Sequence, residues 1–438
     1  MTVSTAVRWP SITRTPRAPL AATVARLIFD RAVRTIPVQV TYPGGAGLDG
    51  DPAQTPGPPV VHGLPGFDVV RPRAFFARLG RDTKIGFGEA YMAGDWRAAD
   101  GTDLADLLTP FAARLSRLVP EPLQRLRTIV DRRIPGSHEN TLDGSRENVS
   151  AHYDLSNDLF AIFLDPTMSY SAAWFDLGEP GESVVTGECG ESAVTATLLE
   201  KAQLRKIDGV LDYAGVGPGS RLLEIGTGWG GLAIQAAQRG AHVTTVTISG
   251  EQLALAAERV EQAGLCDRVD LRLQDYREVE GEFDAIVSVE MVEAVGEAYW
   301  PTYFATIDGL LAPGGKVSIQ AITMAHERVL ATRRSFSWIQ KYIFPGGIIP
   351  SLQSIDETLA AHTTLRVTQR RELGAHYART LHLWRDRFNE QWPRIHQLGF
   401  DETFRRMWEF YLAYCEAGFR SGYLGVSQLQ LTREPLWS

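Results

Sequence analysis

The sequence LLEIGTGWGG, residues 222–231, joins a short apolar run to a stretch rich in glycine. An apolar strand that ends in a glycine-rich turn before a helix is typical of a nucleotide-binding sheet, where the backbone approaches the ligand closely. Dinucleotide sites have a related glycine pattern. Glu224 ahead of the turn and Trp229 within it favour S-adenosylmethionine (SAM), because a carboxylate there accepts hydrogen bonds from the adenosyl-methionine end. The alternative is a turn that binds no ligand.

Strand and helix patterns alternate along the chain around this turn. They predict strands over residues 221–225, 243–247, 269–273, 283–289 and 316–323, and helices over 231–239 and 251–263. Strands that alternate with helices of this length form βαβ units around a parallel sheet. We therefore expect a Rossmann-like, doubly wound α/β domain with a mostly parallel sheet, to which residues 425–432 add an edge strand.

The chain has 438 residues, more than one ordinary domain needs. Residues 1–20 are predicted to form a flexible tail, and residues 21–135 a smaller α+β accessory domain that starts with an amphipathic helix over 21–33. A polar stretch with Pro135, Gly136 and Gly144 predicts a linker over residues 136–150. Residues 151–438 then form the α/β domain.

Composition narrows the class of protein. A net charge of −8 argues against nucleic acid as a partner, because such domains are normally basic. The three cysteines are far apart and have no metal-ligand spacing, which predicts no bound metal and a reducing compartment. No apolar run reaches the roughly 20 residues that a membrane-spanning helix needs. We expect a cytoplasmic protein.

Two other predicted strand ends supply candidate cofactor ligands. The second strand ends in VTISGEQ, where Thr247 and Gln252 take the place of an acidic ribose ligand. The third ends in LQDYRE, which places Asp275 and Tyr276 to hold adenine. Both assignments follow from topology, because ligands of such sheets lie beyond the carboxyl ends of the strands. Either pair is equally compatible with a simple turn.

Ten strings in one order resemble the cyclopropane-fatty-acyl-phospholipid synthase family, from about residue 84 to the end. They are KIGFGEAYMAGDW (84–96), HYDLSNDLF (152–160), MSYSAAWF (168–175), EKAQLRKID (200–208), LLEIGTGWGG (222–231), VTISGEQ (246–252), LQDYRE (273–278), SVEMVEAVG (288–296), KYIFPGGIIPS (341–351) and LGAHYARTL (373–381). The resemblance implies a SAM-dependent enzyme that methylates the cis double bond of phospholipid acyl chains. It also implies a small lipid-associated N-terminal domain.

The resemblance also implies particular site residues. Those contacting SAM would be Tyr170, Ser171, Gly226, Gly228, Gln252, Tyr276 and Arg277, to which Glu224, Gly230, Thr247 and Asp275 are added from the motifs above. A catalytic bicarbonate would be held by Ala172, Glu293, Gln320 and Tyr377. Two of these depart from the family pattern, since cysteine is usual at Ala172 and histidine at Gln320. The histidine that commonly follows the glutamate is Ala294.

Methyl transfer to an alkene leaves a carbocation, which aromatic faces stabilise and water would quench. The run FSWIQKYIFPGGIIP ends as an apolar loop and supplies Trp338, Tyr342 and Phe344 for an acyl-chain tunnel. The alternative for these rings is ordinary core packing. The predicted helix over 21–33 has Arg26, Arg31 and Arg34 beside apolar residues, so it either lies on the inner face of a membrane or packs on its own domain.

The altered bicarbonate residues favour a methylene-branched product of the tuberculostearic type over a cyclopropane ring. A separate reductase would then act on the product, and we expect a homo-oligomer or a complex with that partner. Two alternatives stay open from the sequence. One is a methyltransferase that acts on a soluble molecule, and the other is a lipid-binding protein whose active site has degenerated.

Overall fold

The computed structural model describes residues 9–43, 63–114, 156–176 and 191–433, without the side chains of residues 191–196. The predicted linker over 136–150 lies outside the described residues. The N-terminal elements are α1 (Pro10–Thr13), α2 (Pro19–Val33), β1 (Gln39–Thr41), β2 (Gly66–Val69), α3 (Pro72–Arg81), α4 (Thr83–Ala93), β3 (Trp96–Ala98) and α5 (Leu104–Arg114).

The central elements follow in chain order. They are α6 (Asn157–Phe163), α7 (Glu191–Tyr213), β4 (Arg221–Ile225), α8 (Gly231–Gln238), β5 (His242–Thr247), α9 (Gly250–Gln262), β6 (Val269–Leu273), β7 (Phe283–Val289), α10 (Val292–Val295), α11 (Trp300–Leu310) and β8 (Leu311–Met324). The C-terminal elements are α12 (His326–Thr332), α13 (Trp338–Tyr342), α14 (Leu352–His362), β9 (Leu365–Glu372), α15 (Gly374–Glu390), α16 (Trp392–Gln397), α17 (Glu402–Arg420) and β10 (Leu424–Arg433).

The chain divides into two compact units, and the division differs from the predicted boundary. The first unit contains residues 1–133 together with 335–343 and 388–423, and the second contains the remainder. Helices α13 and α17 therefore belong to the N-terminal unit and not to the α/β domain in which the sequence placed them. Local periodicity reveals that a segment is helical but not which core it joins.

The N-terminal unit is built around aromatic side chains. Phe67 on β2 stacks on Trp96 of β3 with ring centroids 4.5 Å apart, and Phe29 of α2 packs edge-on against Phe75 of α3. Strands β1 and β2 are parallel, and β3 pairs antiparallel with β2. These helices and strands confirm the expected smaller α+β unit.

The predicted flexible tail is wrong over the residues that the structure describes. Ile12 on α1 is buried, and the buried Arg78 donates hydrogen bonds to the carbonyl oxygens of Ser11 and Ile12. The Trp9 indole donates to the carboxylate of Asp401. A segment that begins close to the N-terminus is thus fixed by contacts far along the chain.

The second unit contains a seven-stranded sheet in the order β6-β5-β4-β7-β8-β10-β9. The first five strands are parallel, and β10 runs antiparallel between β8 and β9. This confirms the doubly wound, mostly parallel sheet. The expected edge position of β10 is wrong, because β9, which the sequence analysis missed, occupies that edge.

Apolar clusters cover both faces of the sheet. Helix α11 packs Tyr303 and Ile307 against one face, while α7 and α8 pack Leu211 and Ala236 against the other. The parallel strands are therefore buried on both sides and point their carboxyl ends to one edge. Across the part of the chain that the structure describes, no helix has both the length and the apolar character to span a bilayer.

Candidate active site

The glycine-rich turn opens a backbone surface at the end of β4. Gly226, Gly228 and Gly230 have φ angles of 99°, 51° and 81°, in the left-handed region that glycine adopts without strain. A Cβ atom built on Gly228 would meet nothing within 4 Å, so a ligand has room to lie against this backbone. The sheet order reverses between β4 and β7, which is where such sheets bind ligands. These features fit SAM.

Arg259 of α9 fastens this turn to the segment that follows α6. Its guanidinium donates hydrogen bonds to the carbonyl oxygens of Trp229 (2.6 Å), Thr167 (3.1 Å) and Pro166 (2.8 Å). The segment lies so close that a Cβ on Gly231 would sit 2.6 Å from the Thr167 carbonyl oxygen. The arginine thus sets the spacing of two stretches predicted to bind SAM, a role that the sequence analysis missed.

Replacing Arg259 by methionine is expected to raise the Kd for SAM about tenfold or more, because charge-assisted hydrogen bonds to both stretches are lost. The Arg259→Lys variant should have a Kd for SAM between those of wild type and Arg259→Met, because an ammonium group cannot bridge three carbonyl oxygens as a guanidinium does. Isothermal titration with SAM measures the effect. The matched control is Arg268→Met, whose guanidinium donates to the Gly240 carbonyl oxygen before β5. Equal SAM affinities in Arg259→Met and Arg268→Met would contradict the role assigned to Arg259.

Glu224 lies within the sheet beside a pair of threonines. Its Oε2 accepts a hydrogen bond from Thr245 Oγ1 (2.6 Å), which is itself 2.7 Å from Thr227 Oγ1. Burial raises the pKa of Glu224 to about 8, against the effects of Thr245 and Lys206. Thr227 belongs to the glycine-rich turn, so the Glu224 carboxyl group is linked to that turn through Thr245 and helps to hold its backbone in place. Direct contact of Glu224 with SAM stays a prediction.

The second strand end has the expected compact arrangement. Thr247 Oγ1 lies 3.4 Å from Gln252 Oε1 and accepts a hydrogen bond from the backbone of Ser249. Ser249 in turn caps α9 by accepting from the Gln252 backbone. Both predicted ligands therefore stand at the carboxyl end of β5, next to the glycine-rich turn.

The third strand end forms a tight local turn. Asp275 accepts hydrogen bonds from the backbone of Arg277 and pairs with its guanidinium at 2.7 Å. Tyr276 is buried against Tyr303, with ring centroids 5.5 Å apart. The side chains of Asp275 and Tyr276 thus have structural roles here, and their contact with adenine stays a prediction.

The segment after α6 brings Tyr170 and Ser171 to the same end of the sheet. Tyr170 stacks on Trp384 with ring centroids 5.2 Å apart, and Ser171 Oγ lies 2.6 Å from Lys206 Nζ. Lys206 is buried. Burial lowers its pKa to about 8, against the carboxylates of Glu290, Asp165 and Glu224, which raise it. The sequence analysis missed this lysine, although it lies within the EKAQLRKID string.

Gln320 and Tyr377 come together as predicted, but around a different glutamate. Tyr377 Oη donates to Glu290 Oε2 (2.7 Å), and Gln320 Nε2 donates to Glu290 Oε1 (2.9 Å). The backbone N–H of Ala172 also donates to Oε1 (2.9 Å). The structure does not bring Glu293 into hydrogen-bond contact with these residues, and its role in holding a bicarbonate ion stays a prediction. Glu290, which lies at the end of β7 three residues earlier in the SVEMVEAVG string, accepts these hydrogen bonds instead.

Glu293 instead accepts a hydrogen bond from the backbone N–H of Ile322. Its Oε2 atom is buried and has no hydrogen-bond partner among the residues that the structure describes. Burial and the nearby Glu290 raise the pKa of Glu293 to about 8. At neutral pH, Glu293 is thus a neutral acid beside a carboxylate that three donors hold.

Two of the three predicted tunnel residues belong to the core of the N-terminal unit. Trp338 is buried edge-on against Phe410, where the missing side chain of Gly88 leaves room for the indole. Tyr342 lies 2.7 Å from Glu89 Oε1. Both side chains therefore have packing roles in this unit, and their part in an acyl-chain tunnel stays a prediction. Phe344 belongs to the second unit and is partly buried, so its assignment stays a prediction.

Comparison with known proteins identifies the family. The family model for mycolic acid cyclopropane synthetase matches residues 140–429. The chain belongs to this family. The tuberculostearic acid methyltransferase UfaA1 of Mycobacterium tuberculosis is 48% identical over 98% of this chain and 96% of its own length. The cyclopropane-fatty-acyl-phospholipid synthase of Escherichia coli K12 is 35% identical over 82% of this chain and 86% of its own length.

Solved structures of cyclopropane synthases match about two thirds of this chain. The cyclopropane synthase MmaA2 of Mycobacterium tuberculosis has a TM-score of 0.57 and 31% identity, over 65% of this chain and 97% of its own. The cyclopropane synthase CmaA1 in complex with SAH and CTAB has the same TM-score and coverage, with 30% identity. The chain is therefore a SAM-dependent methyltransferase, as the sequence predicted.

Proposed function

We propose that this enzyme transfers the methyl group of SAM to a cis double bond in the acyl chain of a phospholipid and forms a methylene-branched product. The observation that carries the proposal is the Glu290 carboxylate, held by Tyr377 and Gln320 beside an aromatic wall at the SAM end of the sheet. A base next to aromatic faces suits a reaction that makes a cation and then removes a proton. The similarity to UfaA1 and to the phospholipid synthase supports the lipid acceptor.

The aromatic wall consists of Tyr170, Tyr377 and Trp384. Tyr377 packs edge-on against Trp384 with ring centroids 6.2 Å apart, and Tyr170 stacks on Trp384 at 5.2 Å. Bound SAM supplies an electrophilic methyl group. Its transfer leaves a positive charge on the acyl chain, which these rings stabilise without forming a covalent bond. They also exclude water, which would convert the cation into an alcohol.

Bicarbonate was the base implied by the sequence resemblance. The residues assigned to hold it are divided in this protein, since Tyr377 and Gln320 bind Glu290 while Glu293 binds the Ile322 backbone. The donor set therefore fits a free anion poorly. The proposed reaction therefore has no step that passes through bicarbonate.

The product type rests on how the base faces the cation. Direct proton loss from the new methyl group with ring closure gives a cyclopropane, and a hydride shift before proton loss gives a methylene branch. We assign the second route to this enzyme, with Ala172 and Gln320 as the residues that set the geometry. A separate reductase, in an oligomer or complex with this enzyme, would then saturate the branch.

The test uses purified protein, SAM and vesicles of a cis-monounsaturated phospholipid, followed by proton NMR of the released acyl chains. Vinylidene protons are expected, and upfield cyclopropyl protons would contradict the methylene assignment. The double variant Ala172→Cys, Gln320→His should shift the product towards the ring. Binding of SAM without any methylated lipid would favour a soluble acceptor or a lipid-binding protein instead.

A phospholipid acceptor requires access to a membrane, and α2 offers a surface for it. Leu20, Val24, Leu27 and Ile28 are 85%, 55%, 67% and 42% exposed, and with the exposed Arg31 they share one side of the helix. The opposite side packs on α3, where a Cβ on Gly80 would lie 2.5 Å from the Ala21 backbone. We propose that the exposed side docks on an anionic membrane surface, the cytoplasmic face of the bilayer.

Replacing both Leu20 and Leu27 by serine is expected to weaken binding to anionic phospholipid vesicles more than tenfold. Each exposed leucine contributes about 1.5 kcal/mol or more when it enters the membrane interface. Vesicle co-sedimentation measures the loss, and SAM affinity should stay unchanged. Leu398→Ser is the matched control, because Leu398 is 43% exposed in the same unit but outside α2. Equal vesicle binding by wild type, the double variant and Leu398→Ser would contradict the proposed docking surface on α2.

A further inference from the structure

Glu290 has a backbone conformation that glutamate rarely adopts. Its φ angle is 53°, in the left-handed region, which is strained for a residue with a Cβ. The backbone N–H of Glu290 donates to the Gln320 carbonyl oxygen at 2.7 Å, so strands β7 and β8 fix this turn. Strain of this kind persists where the surroundings hold it, most often at functional sites. Here it aims the carboxylate at Tyr377 and Gln320.

The carboxylate occupies the donors that a bicarbonate ion would use. Oε1 accepts from the Ala172 backbone and from Gln320 Nε2, and Oε2 accepts from Tyr377 Oη. Ala172, Gln320 and Tyr377 are three of the four residues that the sequence resemblance assigned to bicarbonate. A carboxylate has about four acceptor positions, so Oε2 keeps one for a proton. Bicarbonate presents the same O–C–O group, and a second anion here would be repelled.

A chain of hydrogen bonds fixes which end of Gln320 faces Glu290. Arg371 only donates, and its Nη1 donates to Gln428 Oε1 (2.9 Å). Gln428 Nε2 must then face outwards, and it donates to Gln320 Oε1 (3.1 Å). Gln320 is left with its Nε2 directed at Glu290. This series of hydrogen bonds therefore ends in the Gln320 amide as a donor and requires an acceptor, which the ionised Glu290 carboxylate provides.

Opposing influences act on the ionisation of this carboxylate. Burial raises the pKa of Glu290, while the hydrogen bonds from Ala172, Gln320 and Tyr377 and the charge of Lys206 lower it. All three hydrogen-bonding groups act as donors, and none of them needs a proton from Glu290. Burial is the largest of these influences, so the pKa of Glu290 lies above the usual value for glutamate, and the three donors and Lys206 are the groups that stabilise the charged form able to take up a proton.

We propose that Glu290 is the catalytic base of this enzyme and replaces a bound bicarbonate ion. This inference rests on the proposed function. The alkene electron pair forms the new C–C bond as the methyl–sulfur bond breaks, and the neighbouring carbon becomes a cation. A hydride shift moves the cation to the methyl-bearing carbon. A proton then leaves the new methyl group for Glu290 Oε2, and the C–H electron pair becomes the methylene double bond.

The first measurement compares wild-type turnover on vesicles in CO2-free buffer with turnover after addition of bicarbonate. The two rates should agree within about twofold, since the base is part of the chain. A rate that rises tenfold or more with bicarbonate would overturn the inference. A wild-type protein that forms no methylated lipid in either buffer would overturn the proposed function itself, and the inference with it.

The second measurement uses two variants of Glu290. Glu290→Gln keeps the shape but not the base, and should lower kcat by roughly 100-fold to 10,000-fold while SAM affinity stays within about twofold. Glu290→Gly removes the carboxylate and suits the left-handed φ, so the backbone can keep its turn at the end of β7. Added formate or bicarbonate should restore at least tenfold of its activity. A glutamine variant with more than a third of wild-type kcat, or a folded glycine variant that neither anion rescues, would contradict the assignment.

Discussion

Substituting Lys206 by methionine is expected to lower the free energy of unfolding by about 3 kcal/mol at pH 7. The lysine is buried and lies near the carboxyl groups of Glu290, Asp165 and Glu224. Because its pKa is about 8, it carries a positive charge at pH 7 and compensates these acids. Methionine fills the same space without the charge, so the buried carboxylates lose their counterion. Urea denaturation of wild type and variant measures the difference.

Lys201→Met is the matched control, because Lys201 lies on the same helix but is exposed. Its free energy of unfolding should change by less than about 0.5 kcal/mol. Enzyme activity gives a second readout. Without Lys206 the pKa of Glu290 rises, so the acidic limb of the kcat profile should move to higher pH. An unchanged profile together with unchanged stability would show that Lys206 does not act on these acids.

The sheet of the second unit could be predicted from the sequence because its signals are local. Strands β4, β6 and β7 begin and end at the predicted residues, and β5 differs from the prediction by a single residue. Strands β4 and β7 contain adjacent apolar residues, as expected for strands buried on both faces, whereas the edge strand β6 alternates apolar and polar residues. The glycines at 226, 228 and 230 marked the turn, since no other residue takes positive φ so readily.

The order of the last strands could not be predicted in the same way. Strand β9 is largely polar, with the sequence LRVTQRRE, because it lies at the edge of the sheet. Strand β10 is more apolar because β8 and β9 cover its two edges. Pairing between strands distant in sequence leaves no trace in the spacing of either one.

Contacts within the site also could not be predicted from local sequence, even at the level of single residues. Two glutamates stand three residues apart in SVEMVEAVG, and the motif alone does not tell which carboxylate meets Tyr377. The left-handed φ of Glu290 decides it by turning the chain at the end of β7. The packing of Trp338 and Tyr342 could not be predicted for a related reason, because their contacts are with Gly88 and Glu89, about 250 residues earlier in the chain.

Replacing Glu293 by glutamine is expected to raise the free energy of unfolding by about 4 kcal/mol at pH 7.5 and to leave it unchanged near pH 4. The pKa of Glu293 is raised to about 8 in the folded protein, whereas a glutamate in the unfolded chain ionises near pH 4.3. The folded state therefore binds the proton more tightly. The stability that this provides is fully present below pH 4.3 and is lost as the pH rises towards 8.

Glutamine keeps the oxygen that accepts from the Ile322 backbone and does not titrate, so its curve of stability against pH lacks this loss. Urea denaturation from pH 4 to 7.5 compares the two proteins below the pKa of Lys206, where that lysine stays charged. Glu224 titrates in both proteins, so the difference between the curves reports Glu293 together with its effect on the nearby Glu290. Glu282→Gln, an exposed glutamate just before β7, is the control and should follow wild type. If the Glu293 variant followed wild type as well, Glu293 would be ionised at neutral pH, and two carboxylates would then lie close together at the end of β7.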